Sequence, residues 1–234
     1  MDLQWADEFN GAELSSANWN YDLGNGCAVG ICGWGNGEKQ EYTNDQANIK
    51  LDNGKLVITA TSQNTAYRSA RINSKGKQST ALGRIDIRAR LPKGKGIWPA
   101  LWMLGTNIDQ NPWPACGELD IMEMVGNDPT KVFGTVHYNN NGYVKSDGFL
   151  KLSTGDFSDK FHVFSVLWDL DIIIWYVDNQ PFKTFRRSPG SVYPFNNPFY
   201  FVLNVAVGGQ WPGDPDGTTV FPQQMTVDYI RVFR

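Results

Sequence analysis

The chain is written in short pieces of period two. In Gly83–Leu91, GRIDIRARL, the apolar Ile85, Ile87, Ala89 and Leu91 fall on one side and Asp86, Arg88 and Arg90 on the other, the alternation of a strand with one buried face. KLVITATS from Lys55, VFGTVHY from Val132 and DIIIWYVDN from Asp171 are strand-length and rich in β-branched residues. Turn-forming clusters separate such pieces: DNGK at Asp52, PKGKG at Pro92 and WPGDPDG at Trp211. No stretch combines caps with the apolar spacing of a three-turn helix. The pattern predicts an all-β chain whose strands must stack as two sheets or close into a barrel to bury their apolar faces. Two stacked sheets are the expected arrangement. The absence of a 20- to 50-residue repeat argues against a propeller or solenoid.

A length of 234 residues suits one domain spanning 1–234 with a substantial core. The formal net charge of -3, from 21 basic and 24 acidic residues without a basic run, argues against a nucleic-acid partner. No apolar stretch reaches the roughly 18 to 20 residues that cross a bilayer, so no membrane association is expected. The opening MDLQWADEFNG has neither the basic nor the apolar region of a signal peptide. Location must therefore follow from function. Cys27, Cys32 and Cys116 are too few for a disulfide scaffold, and their pairing is left open. Without a C-x-x-C, and with His137 and His162 far apart, a zinc site is disfavoured. The unusual figure is 13% aromatic content with nine tryptophans, whose faces serve either a core or sugar rings.

GELDIMEM, Gly117–Met124, sets three carboxylates into an apolar run. On a helix Asp120 and Glu123 would point about 200° and 140° away from Glu118, so the three could not cluster. On a regular strand Glu118 and Asp120 share a face, but Glu123, five positions on, points to the other. A β-bulge adds one residue and returns Glu123 to the face of Glu118 and Asp120, leaving Leu119 and Ile121 inward. Such a rigid acidic wall suits glycoside hydrolysis, in which two carboxyl groups stand about 5 to 5.5 Å apart for retention or roughly 6.5 to 9.5 Å for inversion. Spacing along the chain does not choose between them. Crowding raises one pKa and keeps a proton available, while hydrogen bonds keep the other group ionised, with Asp120 placed to tune both. The alternatives are acids decorating an exposed strand, or oxygen ligands for calcium.

At this motif the sequence resembles glycoside hydrolase family 16, whose signature E-x-D-x-x-E stands here as Glu118-Leu119-Asp120-Ile121-Met122-Glu123. The likeness extends over DEFNG at Asp7, CGWGNGEKQEYT at Cys32, RSARI at Arg68, GIWPALWMLG at Gly96, GTVHY at Gly134, NVAVGGQWPG at Asn204 and VDYIRVF at Val227. It is nearest the laminarinase branch, endo-acting β-1,3-glucanases, although Gly37, Lys39 and Glu41 depart from that branch's loop pattern and leave fine specificity open. The resemblance implies a β-jelly-roll sandwich of two antiparallel sheets, an open concave cleft and retention of configuration. Glu118 matches the nucleophile, Asp120 the assisting aspartate and Glu123 the acid/base. Non-catalytic β-glucan-binding relatives, and relatives acting on agar or carrageenan, supply the rival readings.

Trp98 and Trp102, four apart, share a strand face, and the family places matching tryptophans in the cleft; core packing is the alternative. Asn44 and Arg71 match positions that hold sugar hydroxyls, with a solvated pair as the alternative. His137 matches a histidine near the acid/base, against a structural role shared with His162. Trp34 and Trp211, in glycine-rich loops, are candidates for stacking on glucose or for anchoring their loops. Trp113 reads as a loop anchor. The resemblance also implies a structural calcium held by Glu8, the Gly54 carbonyl and Asp228, away from the cleft. Catalysis needs no cofactor. The implied partner is a β-glucan polysaccharide or oligosaccharide, the expected state is a monomer, and a polymeric substrate implies secretion or a cell-surface position.

Overall fold

In the computed structural model, which describes residues 1–64 and 66–234, the strands form two large sheets. The first has ten strands, in the order Gln180–Arg186, Ile172–Val177, His162–Trp168, Gly83–Arg90, Gln223–Phe233, Leu56–Gln63, Ala66–Ser69 and Gln40–Tyr42, with Leu3–Asp7 and Ile49–Leu51 joined from the side. The second has eight: Tyr143–Lys151, Lys131–Asn139, Glu118–Glu123, Ile97–Gly105, Phe199–Val207, Arg71–Asn73 and Asn20–Asp22, with Ser79–Thr80 beside Phe199–Val207. Sequential neighbours pair only in part, and long crossovers carry the chain between layers, giving the jelly-roll sandwich. Among the described residues the helical content is three short 3-10 turns, Cys27–Val29, Cys32–Gly35 and Pro194–Asn196.

The core lies between the sheets because each strand turns its apolar alternate residues there. Ile85, Ile87, Ala89 and Leu91 are all buried, as the period-two reading expects. Across from them Ile97, Leu101, Met103, Leu119 and Met122 join the same cluster. Phe199–Val207 is buried along its whole length, which is why it reads as an apolar run and not as an alternation. Its position at the heart of the eight-stranded sheet gives the neighbouring tryptophan-bearing and acidic strands a rigid base.

Candidate active site

The acidic strand, Glu118–Glu123, lies between Ile97–Gly105 and Lys131–Asn139. Leu104, Trp102 and Ala100 stand opposite Glu118, Asp120 and Glu123, and the register breaks where Leu101 pairs Met122 but Trp102 pairs Asp120. The other neighbour repeats the break: Thr135 faces Asp120 while Phe133 faces Glu123. Three steps on the acidic strand thus match two on its partner. That extra residue is the bulge the spacing of the carboxylates requires. Glu118, Asp120 and Glu123 all line one cleft of about 620 Å³ on the outer face of the sheet, while Leu119, Ile121 and Met122 are buried.

Each glutamate receives an indole N–H. Trp113 Nε1 donates to Glu118 Oε2 at 2.7 Å, and Trp98 Nε1 donates to Glu123 Oε1 at 3.1 Å. His137, directly across from Glu118, sets its Nε2 3.7 Å from Glu118 Oε1 and 3.2 Å from Asp120 Oδ2. Its other ring nitrogen shares a 2.6 Å hydrogen bond with the Tyr143 hydroxyl, which fixes the ring's orientation. Burial, followed by the charges of Asp120 and Glu123, pushes the Glu118 carboxyl up to about 8 despite the opposing pull of His137 and Trp113. Burial and Glu123 hold Asp120 well above the usual carboxylate range. Burial likewise raises Glu123, against His137, the Trp98 N–H and Lys145. Three like charges cannot all be ionised in this space, so the group titrates as a unit and retains proton near neutrality.

Five of the nine tryptophans border the cleft: Trp34, Trp98, Trp102, Trp113 and Trp211. Trp211, 40% exposed, meets Trp98 edge-on at 5.4 Å and Phe133 at 5.1 Å, so it offers an aromatic wall beside Glu123. Arg71 is clamped between Trp34 and Trp102, its guanidinium 4.4 and 4.9 Å from their centroids, with Nε donating to Asp22 Oδ2 at 2.9 Å. Trp102 in turn donates to Asn204 Oδ1 at 2.8 Å, and Asn204 donates to the Tyr42 hydroxyl at 3.1 Å. Glu38, Gln40 and Tyr42 complete this buried polar floor.

Several sequence expectations need correction. Trp113 is not simply a loop anchor; it is 49% exposed at the cleft and hydrogen-bonds Glu118. Trp34 is only 8% exposed and Arg71 covers a ring face, so it supports the arginine instead of offering a free stacking surface. Asn44 is not among the side chains lining the cleft; Thr43 N–H, just before it, ties that segment to the Ser69 carbonyl at 2.9 Å. Sequence reasoning also passed over Tyr143, Lys145, Asn204 and Glu38, all of which line the cleft. For Tyr143 and Lys145 the alternation of their strand was the available signal; for Asn204 it was an amide set in the apolar run Phe199–Val207.

The residues assigned to calcium by resemblance do not fit that ion as they stand. Glu8 accepts both Nε and Nη2 of Arg231, at 2.7 and 3.0 Å. Asp228 accepts from Arg88 and has Lys55 Nζ 3.9 Å away. A Cβ on Gly54, at φ +68°, would sit 2.8 Å from Asn10 Oδ1. The three segments converge, but both carboxylates are committed to cations, which leaves no net charge for a calcium ion to neutralise. Among the described residues, Glu118, Asp120 and His137 bring ligand-type atoms within 4.8 Å of one another, and these belong to the acidic centre itself. Cys27 and Cys32 form a disulfide beside the cleft loop, and Cys116 is free and buried.

A jelly-roll sandwich with clustered carboxyls and indoles along an open sheet face has the layout of a carbohydrate-processing enzyme. The model of the glycosyl hydrolases family 16 matches residues 34–231, and the chain belongs to that family. It is 40% identical over 261 residues to the glucan endo-1,3-beta-glucosidase A1 of Niallia circulans, with 100% of this chain and 38% of that protein covered; the chain thus spans well under half of that relative. The crystal structure of the laminarinase catalytic domain from Thermotoga maritima is 46% identical with a TM-score of 0.91, covering 100% of this chain and 98% of that one. A variant protein from Z. galactanivorans in complex with laminaritriose and laminaritetraose is 30% identical with a TM-score of 0.86, covering 99% and 98% of the two chains.

Proposed function

We propose that this chain hydrolyses internal β-1,3-glucosidic bonds of laminarin-type glucans with retention of configuration. The observation that carries the reading is the one-residue register break that brings Glu118, Asp120 and Glu123 to one cleft face. In the protonation state with Glu118 ionised, which His137 and the Trp113 N–H favour against the larger push of burial and Asp120, and with the retained proton on Glu123, Glu118 attacks the anomeric carbon. The bond to the departing glucan oxygen breaks as Glu123 gives that oxygen its proton. A glycosyl ester on Glu118 results. Glu123, now ionised, takes a proton from water as the water oxygen attacks the same carbon; the ester bond breaks and both carboxyls return to their starting state. Asp120, raised by burial and Glu123, shares the retained proton with the two glutamates and so tunes which of them is ionised. No step needs a cofactor.

The names of the relatives, and the laminari-oligosaccharides bound to one of them, support a β-1,3-glucan as substrate. Since every group in the mechanism comes from one chain, a monomer suffices. Substrate size supports action outside the cell or at its surface, and the Cys27–Cys32 disulfide is in keeping with an oxidising compartment. A structural calcium would have to displace Arg231 and Arg88 from Glu8 and Asp228. The test is incubation with laminarin, lichenan, agarose and carrageenan, with products sized and their first anomer read by proton NMR. Laminarin should yield internal fragments with the β anomer first. Binding without release of reducing sugar would identify a non-catalytic glucan-binding protein instead.

A further inference from the structure

A tryptophan of the opposite sheet penetrates the bulge. Trp175, on Ile172–Val177, is fully buried, and its Nε1 donates to the backbone carbonyl of Asp120 at 2.8 Å. In a regular strand the carbonyls lie in the plane of the sheet and meet neighbouring strands. The Asp120 carbonyl instead reaches a donor in the other layer, so the peptide after Asp120 is tipped toward the core. Asp120 is the last residue in register before the break on both sides of the strand. A carbonyl turned into an apolar interior requires a partner there, and Trp175 is the partner.

Space for the indole comes from Gly134. This residue lies on the adjacent strand between Phe133 and Thr135, the partners of Glu123 and Asp120. A Cβ at position 134 would stand 2.3 Å from Trp175 Cδ1 and 2.7 Å from its Nε1. The glycine is therefore required by close approach and not by its torsion angles. Lys183 Nζ lies 5.3 Å from the Trp175 ring centroid and is held by Ser146 Oγ at 3.0 Å. The indole is thus positioned by groups outside the acidic strand.

We infer that Trp175 and Gly134 are positioning residues: the indole N–H stabilises the tipped peptide and so sets the distance between Glu118 and Glu123 from beneath the sheet. The inference rests on the hydrolytic reading of the cleft. Without the hydrogen bond, the Asp120 carbonyl gains by turning back into the sheet plane. The bulge then relaxes, and Glu123 moves relative to the two acids before it.

The test compares the full chain with Trp175→Phe, with replacement of Trp175 by β-(3-benzothienyl)alanine, which keeps the bicyclic shape but loses the N–H, and with Val177→Ala, a core truncation on the same strand. Melting temperatures are measured first, and kinetics are run well below the lowest of them. Laminarin is compared with a dinitrophenyl β-laminaribioside, whose departing group needs no proton. Loss of the N–H should lower kcat on laminarin about 10- to 100-fold, the scale of a misplacement near 1 Å, with KM within about two-fold. The loss should be smaller on the dinitrophenyl substrate. Val177→Ala should lower the melting temperature and leave kcat within about two-fold. Unchanged kcat in the benzothienyl protein, or an equal kcat loss in Val177→Ala, would overturn the inference. Failure of the hydrolytic reading is recognised separately, because the unmodified chain would then cleave neither substrate.

Discussion

The Trp113 indole N–H lies 2.7 Å from Glu118 Oε2, although five residues separate them along the chain. The hydrogen bond favours the carboxylate over the acid and so opposes the upward push of burial and of the neighbouring charges. Trp113→Phe keeps an aromatic ring against His137 and Tyr143 and removes the donor. The Glu118 pKa should rise further. Since the reaction needs Glu118 ionised, the acidic limb of the kcat/KM profile on laminarin should move to higher pH. A limb that stays in place would show that the indole does not act on Glu118.

The two glutamates should separate in kinetics. Glu118→Ser and Glu123→Ala should each reduce laminarin turnover by at least about 10³-fold while leaving glucan binding within several-fold. Azide should rescue an activated aryl laminaribioside with opposite outcomes in the two variants: a β-glycosyl azide from Glu123→Ala, where azide takes the place of water in the second displacement, and an α-glycosyl azide from Glu118→Ser, where it takes the place of the carboxylate. Near-normal turnover in either variant removes that residue from the mechanism.

Stability should depend on pH through the same centre. Glu118 is raised from 4.5 to about 8, and Asp120 and Glu123 move in the same direction. The folded protein then holds protons that the unfolded chain releases. The contribution is fully present below pH 4.5 and is lost as pH rises through about 8. The melting temperature should fall across that window. Glu118→Gln should flatten the dependence and be the more stable protein at pH 8, by roughly 2–4 °C for each kcal/mol recovered. Parallel curves for the two proteins in calorimetry would contradict the shift.

Arg71 should not be replaceable by lysine. Its guanidinium is stacked between Trp34 and Trp102 and anchored by Asp22, a planar arrangement that an ammonium cannot reproduce. Arg71→Lys should raise KM for laminarin about 3- to 10-fold, equivalent to about 0.6–1.4 kcal/mol, with a smaller effect on kcat. A wild-type KM would show that the stack does not shape the cleft.

Some features were legible in the chain because they depend on neighbours in sequence. The alternation in Gly83–Arg90 identifies its buried face, and Ile85, Ile87 and Ala89 are fully enclosed. The spacing of Glu118, Asp120 and Glu123 calls for an extra residue if they are to act together, and the register break lies between Asp120 and Glu123. Trp98 and Trp102, four apart, both line the cleft. The destinations of other side chains depend on partners far along the chain. Trp34 is covered by Arg71, Glu8 is taken by Arg231 and Asp228 by Arg88. No local pattern encodes those encounters.

By itself, then, the amino-acid order determined strand periodicity, the turns between strands and an acidic group that makes chemical sense only with a kink, since each is a matter of residues within a few positions of one another. Only the tertiary structure decided what holds the kink and tunes the acids: Trp175 rising from the other layer beneath Asp120, Gly134 making room for it, and Trp113 and His137 reaching Glu118. The physical reason is that hydrogen bonds, desolvation and charge repulsion act through a few ångströms of space, and long-range pairing of the sheets decides which residues share that space.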